Sequence, residues 1–255
     1  MPDIDVLECL RRGAVGACGA IPGTLAAHPF DVIKMRQQVG GMTTLGAIRS
    51  LGGVSAAYGG VTAGVGQKIA TRGPMFLISE MFTQQAQRSF SLSRDTALFI
   101  GSAGSGYCTG ALAAAFEWIK VQRGTAAKAA GAANYRRRLC IMHGAGLRNG
   151  VFDSCFFGIE HQARHRLGLP PTLSYALAAA AAVTLDFPLD VAVKRLMAAP
   201  ATESPPAGGA LRLMAHLLRE RRLLVFAGLG AKACEFALSY GVTGFASTYV
   251  QRALR

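Results

Sequence analysis

Along most of the chain, apolar residues come in long uncharged blocks and do not alternate with polar ones. Thr96 to Phe116 and Leu167 to Leu185 are the clearest, and Phe236 to Gln251 is a shorter one. Gly13 to Ala27 joins them if its helix continues through Pro29. Weaker stretches at 60–84 and 141–164 are interrupted by Lys68, Arg72, Arg148 and Asp153. A membrane-spanning helix needs about 20 mostly apolar residues, with its backbone bonded internally. The pattern therefore predicts six spanning helices, two of them carrying charge. Small residues recur four apart within these blocks, as at Gly19/Gly23 and Gly106/Gly110. Such spacing lets helix backbones approach closely where lipid removes the hydrophobic drive for association.

The ends of the first, third and fifth blocks are alike. They read HPFDVIKMRQQ (28–38), AAFEWIKVQRG (114–124) and FPLDVAVKRLM (187–197). The acid recurs as Asp31, Glu117 and Asp190; proline recurs as Pro29 and Pro188, with Ala115 between them. A base follows three residues after the acid as Lys34 and Lys120, but the third position is Val193. Acid and base three apart share one helical face. Three such elements in register mark an internal repeat.

These motifs resemble the mitochondrial carrier family, whose signature P-x-[DE]-x-x-[KR]-x-[KR] occurs once per two-helix repeat. A second half-signature is partly kept in GGVSAAYGG (52–60) and ERRLLVFAG (220–228). The resemblance implies an all-α membrane protein with six transmembrane helices in three pseudo-threefold repeats, each with a short matrix helix. It implies a single domain over 1–255, with repeats at approximately 8–88, 95–166 and 170–254. It further implies a multi-pass protein of the mitochondrial inner membrane. The matrix gate falls on Pro29, Asp31, Lys34, Glu117, Lys120, Pro188 and Asp190, with Gln38 as a brace. In the family's pairing order Asp31 meets Lys120 and Asp190 meets Lys34, while Glu117 faces Val193. Glu117 is then left to water, Lys194 or protonation. At the opposite, cytoplasmic gate, only Glu80, Glu160 and Arg164 keep the pattern.

By the same resemblance, substrate contacts fall on Gln67, Lys68, Arg148, Asn149, Glu235 and Phe236. An arginine followed by an amide is similar to carriers of keto acids and di- or tricarboxylates, and arginine grips a carboxylate bidentately. Glu235 opposes this by offering a carboxylate where an anion carrier has a base. The charges either bind substrate or pair across a wet cavity. Cardiolipin is the expected bound lipid, at Gly60 and Gly228, where free amides before a helix attract phosphate. No other cofactor is expected. Asp186 stays open between a pocket residue and a partner of Lys194.

Composition supports a membrane or deeply buried chain: 51% of residues are hydrophobic, 16% are charged and mean hydropathy is +0.30. The 27 basic against 14 acidic residues leave +13, an excess that suits lipid-facing loops better than nucleic acid. Nucleic-acid binding is not expected, since no basic face is interleaved with aromatics. The six cysteines have no C-x-x-C spacing and read as small apolar residues. GSAGSG lies inside an apolar run with no strand before it, so it is packing and not a dinucleotide loop. His161 and His165 lack a third ligand nearby, and no metal site is expected. The N-terminus is acidic, without the basic start of a signal peptide. No nucleophile–base arrangement points to an enzyme. Two functions remain: exchange of a small anionic metabolite by alternating access, or a non-transporting carrier-fold subunit of a respiratory or other inner-membrane complex.

Overall fold

The computed structural model describes residues 5–40, 43–58, 61–124, 135–199, 206–220, 226 and 228–253. Within these, the side chains at 12, 35–36, 38–40, 63–64, 67, 70, 116, 119–124, 198, 247 and 251 are left aside. Every regular element among the described residues is helical. Six helices are long: α1 (Val6–Gly40), α4 (Val61–Phe90), α5 (Arg94–Gly124), α6 (Tyr135–His165), α7 (Pro171–Ala198) and α9 (Leu229–Ala253). Three are short: α2 (Thr44–Arg49), α3 (Val54–Ala57) and α8 (Gly209–Glu220). α2 and α8 stand where short matrix helices are expected in the first and third repeats. The corresponding stretch of the middle repeat, 125–134, lies outside the described residues.

The long helices run well beyond the apolar blocks that predict them. α1 continues through both Pro22 and Pro29, α4 through Pro74 and α7 through Pro188. Each helix packs on two others in a closed circuit: α1 on α4, then α5, α6, α7 and α9, which returns to α1. At the end of α6 the chain reverses through Gly168, whose φ of +64° is costly for a residue with a Cβ. Pro171 then starts α7, where its missing N–H costs nothing.

Glycines set the closeness of this circuit. Gly19 and Gly23 of α1 lie against Thr243 and Ser239 of α9, and Gly106 and Gly110 of α5 lie against Asn149 and Ala145 of α6. A Cβ at Gly110 would stand 2.5 Å from the Ala145 carbonyl oxygen. The small-residue spacing read from the sequence thus lies at two of the six helix seams.

The polarity is inverted relative to a water-soluble bundle. Arg72, Asp186, Asp190, Lys232 and Glu235 are all at most 4% exposed, whereas Leu7, Leu112 and Leu185 are 60–77% exposed. On α9 the polar positions Lys232, Glu235, Ser239 and Thr243 recur three or four apart and are all buried, which places them on one inward stripe. On α6, Arg148, Phe152, Phe156 and Glu160 do the same. Between the charged positions lies an aromatic cluster from α4, α6, α7 and α9. The Phe156 and Tyr240 ring centroids are 4.6 Å apart, and those of Phe152 and Phe236 are 5.3 Å apart.

One described helix, over Pro171–Met197, is long and apolar enough to cross a membrane by length and composition alone. The expectation of six spans is not reproduced by that measure. The physical reason is the inward stripe: charges on one face lower a helix's mean hydropathy although its outer face is apolar.

The seams generate a prediction. Gly23→Val forces a branched side chain against the α9 backbone and should cost about 1–3 kcal/mol, the usual price of overpacking. Gly66→Ala has no atom within 4 Å to meet and should be neutral or stabilising by up to about 1 kcal/mol through helix propensity. Thermal unfolding in mild detergent compares the two.

Candidate functional site

The site is the charged layer inside the ring. Glu117 of α5 meets Arg148 of α6 bidentately, with Nη2–Oε2 at 2.8 Å and Nη1–Oε1 at 2.9 Å. The same Nη1 donates to Asp190 Oδ1 of α7 at 2.9 Å. Asp190 Oδ2 also receives Lys194 and Lys232, each at 2.9 Å. Lys232 lies 3.6 Å from Asp186 Oδ1. On the other side of the ring, Lys34 bridges Asp31 of its own helix at 2.9 Å and Glu235 of α9 at 2.8 Å. Side chains of α1, α5, α6, α7 and α9 therefore share this layer.

The local reasons are visible in the spacing. Asp190 and Lys194 are i,i+4 on α7, and Asp31 and Lys34 are i,i+3 on α1, so each pair shares a face. Asn149 Oδ1 accepts from Arg148 Nε at 3.0 Å and Nη2 at 2.9 Å, so the guanidinium is fixed on three sides. Buried ions need this degree of pairing, because desolvation costs several kcal/mol per ion.

The expected matrix gate is assembled differently. Lys34 is taken by Asp31 and Glu235 and does not bridge Asp190. Asp190 is taken instead by Arg148, Lys194 and Lys232. The reason is reach: α6 and α9 supply bases at the level of the acids. Glu117 is not left to water; Arg148 stands in for the base missing at Val193. Val193 itself is buried among Ala114, Ile141, Leu189, Leu196 and Met197. Pro29 and Pro188 sit inside α1 and α7, two residues before Asp31 and Asp190. Gln38 and Lys120 have side chains outside the described residues.

The expected substrate residues fall into three groups. Arg148, Asn149 and Glu235 belong to the ion network just described. Lys68 and Phe236 meet each other, with the Lys68 ammonium 5.0 Å from the ring centroid. Gln67's side chain lies outside the described residues. Arg72, one turn beyond Lys68, donates to Thr243 Oγ1 at 2.7 Å and Ser239 Oγ at 2.5 Å, and stacks on Tyr240 at 4.1 Å. Its Nε has no hydrogen-bond partner. Among the described residues, neither Lys68 nor Arg72 has a carboxylate within salt-bridge distance. Cations on aromatic faces gain about 0.5–2 kcal/mol without any loss of net charge.

At the far end, Glu80 accepts from Gln84 at 3.1 Å and lies 3.8 Å from Arg94 of α5. Glu160 pairs with Arg164 of its own helix at 3.2 Å. The Glu160–Arg164 pair makes no bridge to another helix among the described residues. His161 bonds Asp95 at 2.8 Å and stacks on His165, and no group of metal-ligating side chains occurs among the described residues. Of the expected lipid sites, Gly60 is outside the described residues. Gly228 has φ +89° and precedes α9.

Lys232 was not singled out by sequence reasoning, yet it ties Asp190 to Asp186. Its signal was available: it lies three residues before Glu235 in an otherwise apolar helix, hence on the same face.

Removing Arg148 leaves Glu117 and Asp190 facing each other with fewer cations. Arg148→Ala should cost about 3–5 kcal/mol, read as a lowered thermal midpoint in detergent. Adding Val193→Lys, which places a base one turn from Leu189 on the same helix as Asp190, should recover part of that loss.

Residues 5–90, which hold α1 to α4, match a family model described as mitochondrial carrier protein. No curated protein sequence matches the chain significantly. The match covers the first helix pair, and the same acid-bearing motif ends α5 and α7. Over that first third of the chain, the sequence is thus similar to mitochondrial carrier proteins.

Proposed function

We propose that this protein is a solute carrier of the mitochondrial inner membrane that exchanges a small anionic metabolite, of keto-acid or di- or tricarboxylate type, by alternating access. The reading rests on one observation above all: among the described residues, the cations Lys68 and Arg72 have no carboxylate within salt-bridge distance. Lys34, Arg148, Lys194 and Lys232 are each already matched to an acid. An anion is the ligand whose charge this part of the ring lacks. Phe236 and Tyr240 face the two cations and offer apolar walls to the carbon skeleton.

The ion layer then acts as the closed gate. Arg148, Asp190 and Lys34 tie α5, α6, α7, α1 and α9 together, so opening this end must separate buried ion pairs. A bound anion contributes to that cost only as far as it binds the open state better than the closed one. The outward apolar residues of all six long helices suit lipid, and an intramembrane ion cluster facing the bundle interior is the arrangement that lipid tolerates.

The second reading, a non-transporting membrane subunit with protein partners, draws on the far end. There Glu160 and Arg164 satisfy each other within one helix, and the aromatic cluster fills the space before them.

Reconstitution into cardiolipin-containing liposomes, with counter-exchange of labelled keto acids and di- and tricarboxylates, separates the two. Lys68→Ala and Arg72→Ala should each lower exchange by about tenfold or more, since charge-assisted hydrogen bonds contribute ~1.5–3 kcal/mol. Arg72→Lys should retain part. Folded protein that exchanges none of these anions would favour the subunit reading, to be pursued by co-purification in mild detergent.

A further inference from the structure

One buried acid takes no part in the network. Asp153, on α6 five residues beyond Arg148, is 3% exposed. Among the described residues it makes no ion pair, and its Oδ2 has no hydrogen-bond partner. That oxygen points at α5, where a Cβ on Gly106 would stand 2.8 Å from it. The glycine leaves the carboxyl room against the neighbouring helix.

The hydroxyl and guanidinium donors of the described residues near Asp153 are committed elsewhere. On α5, Ser105 donates to the Met75 carbonyl at 3.0 Å, Thr109 to the Ser105 carbonyl at 2.9 Å, and Ser102 pairs with Ser79 at 2.9 Å. On its own helix, Ser154 donates to the Val151 carbonyl at 3.1 Å, and Arg148 is held by Glu117, Asp190 and Asn149. α7 presents a second acid, Asp186, whose Oδ1 also lacks a hydrogen bond and whose nearest base, Lys232, is shared with Asp190. α9 presents Tyr240, held under Arg72. Asp153 therefore faces a like charge and no available cation.

An ionised carboxylate in such a place is costly, and adding a proton removes the charge without any other partner. We propose that Asp153 is a proton-binding site of this protein, and that its proton crosses with the anion taken at Lys68 and Arg72. The coupling rests on the transport reading above; the proton site does not. In the step, one Oδ–H bond forms from a solvent proton on one side of the membrane and breaks on the other. No other bond changes, and the proton compensates the extra charge of a dicarboxylate that enters in exchange for a monoanion.

The test has two independent parts. Infrared spectroscopy of the purified full chain at neutral pH should show the C=O stretch of a protonated carboxyl group. The band should persist in Asp186→Asn and vanish in Asp153→Asn, a near-isosteric change that keeps the helix. A band unchanged by Asp153→Asn overturns the proton site. In liposomes loaded with a pH-sensitive dye and a monoanionic keto acid, its exchange for an external dicarboxylate by the unaltered protein should acidify the lumen, and an inward proton gradient should raise that uptake severalfold. In Asp153→Asn that gradient should no longer raise it. Anion uptake without lumenal acidification overturns the coupling. If no anion moves while the band maps to Asp153, the transport reading fails and the proton site stands.

Discussion

The structure depends on the requirement that charge buried inside a helix ring be paired. Glu117, Asp190, Asp186, Asp31 and Glu235 lie inward with Arg148, Lys34, Lys194 and Lys232 among them. Removing Arg148 would strip Glu117, and removing Lys232 would strip Asp186, of the cation that bridges it. Because the partners come from different helices, the pairing also fixes which helices are neighbours at this level. The ring would lose its registration at this end if the ion layer were replaced by shape-matched apolar residues, even where stability survived.

Close packing makes those contacts possible. Gly106 and Gly110 bring α5 onto α6, and the short interaxial distance lets Arg148 span Glu117 and Asp190 at once. Gly19 and Gly23 do the same for α1 and α9, where Lys34 reaches Glu235. Above this layer the interior changes character. Phe152, Phe156, Phe236 and Tyr240 exclude water from the middle of the ring, and Lys68 and Arg72 lie against its lower rings. One fold thus stacks a neutralised ionic layer, a cationic aromatic step and an apolar plug along the same axis.

The charged pairs illustrate where reading a chain in one dimension reaches its limit. The acids at 31, 117 and 190 could be recognised because they recur in register. The vacancy at Val193 could be recognised for the same reason. That Arg148 fills the vacancy could not, because the acids it bonds are 31 and 42 residues away. Lys232 carried a local signal in its spacing from Glu235, but its partners Asp186 and Asp190 sit on another helix. Asp153 looked like an interruption of an apolar segment, and only its burial with an unbonded carboxyl oxygen makes it distinctive.

What the sequence alone determined was the kind of element and its repetition. Long uncharged blocks, small residues at four-residue spacing and a thrice-repeated acid specify helices and their order, because helical period and backbone satisfaction are local properties. The helix bounds, the continuation through Pro22, Pro29, Pro74 and Pro188, and the choice of ion-pair partners were decided by tertiary structure. A salt bridge forms with whatever opposite charge packing brings within 4 Å, and that depends on the rotation and register of neighbouring helices, to which no single segment refers.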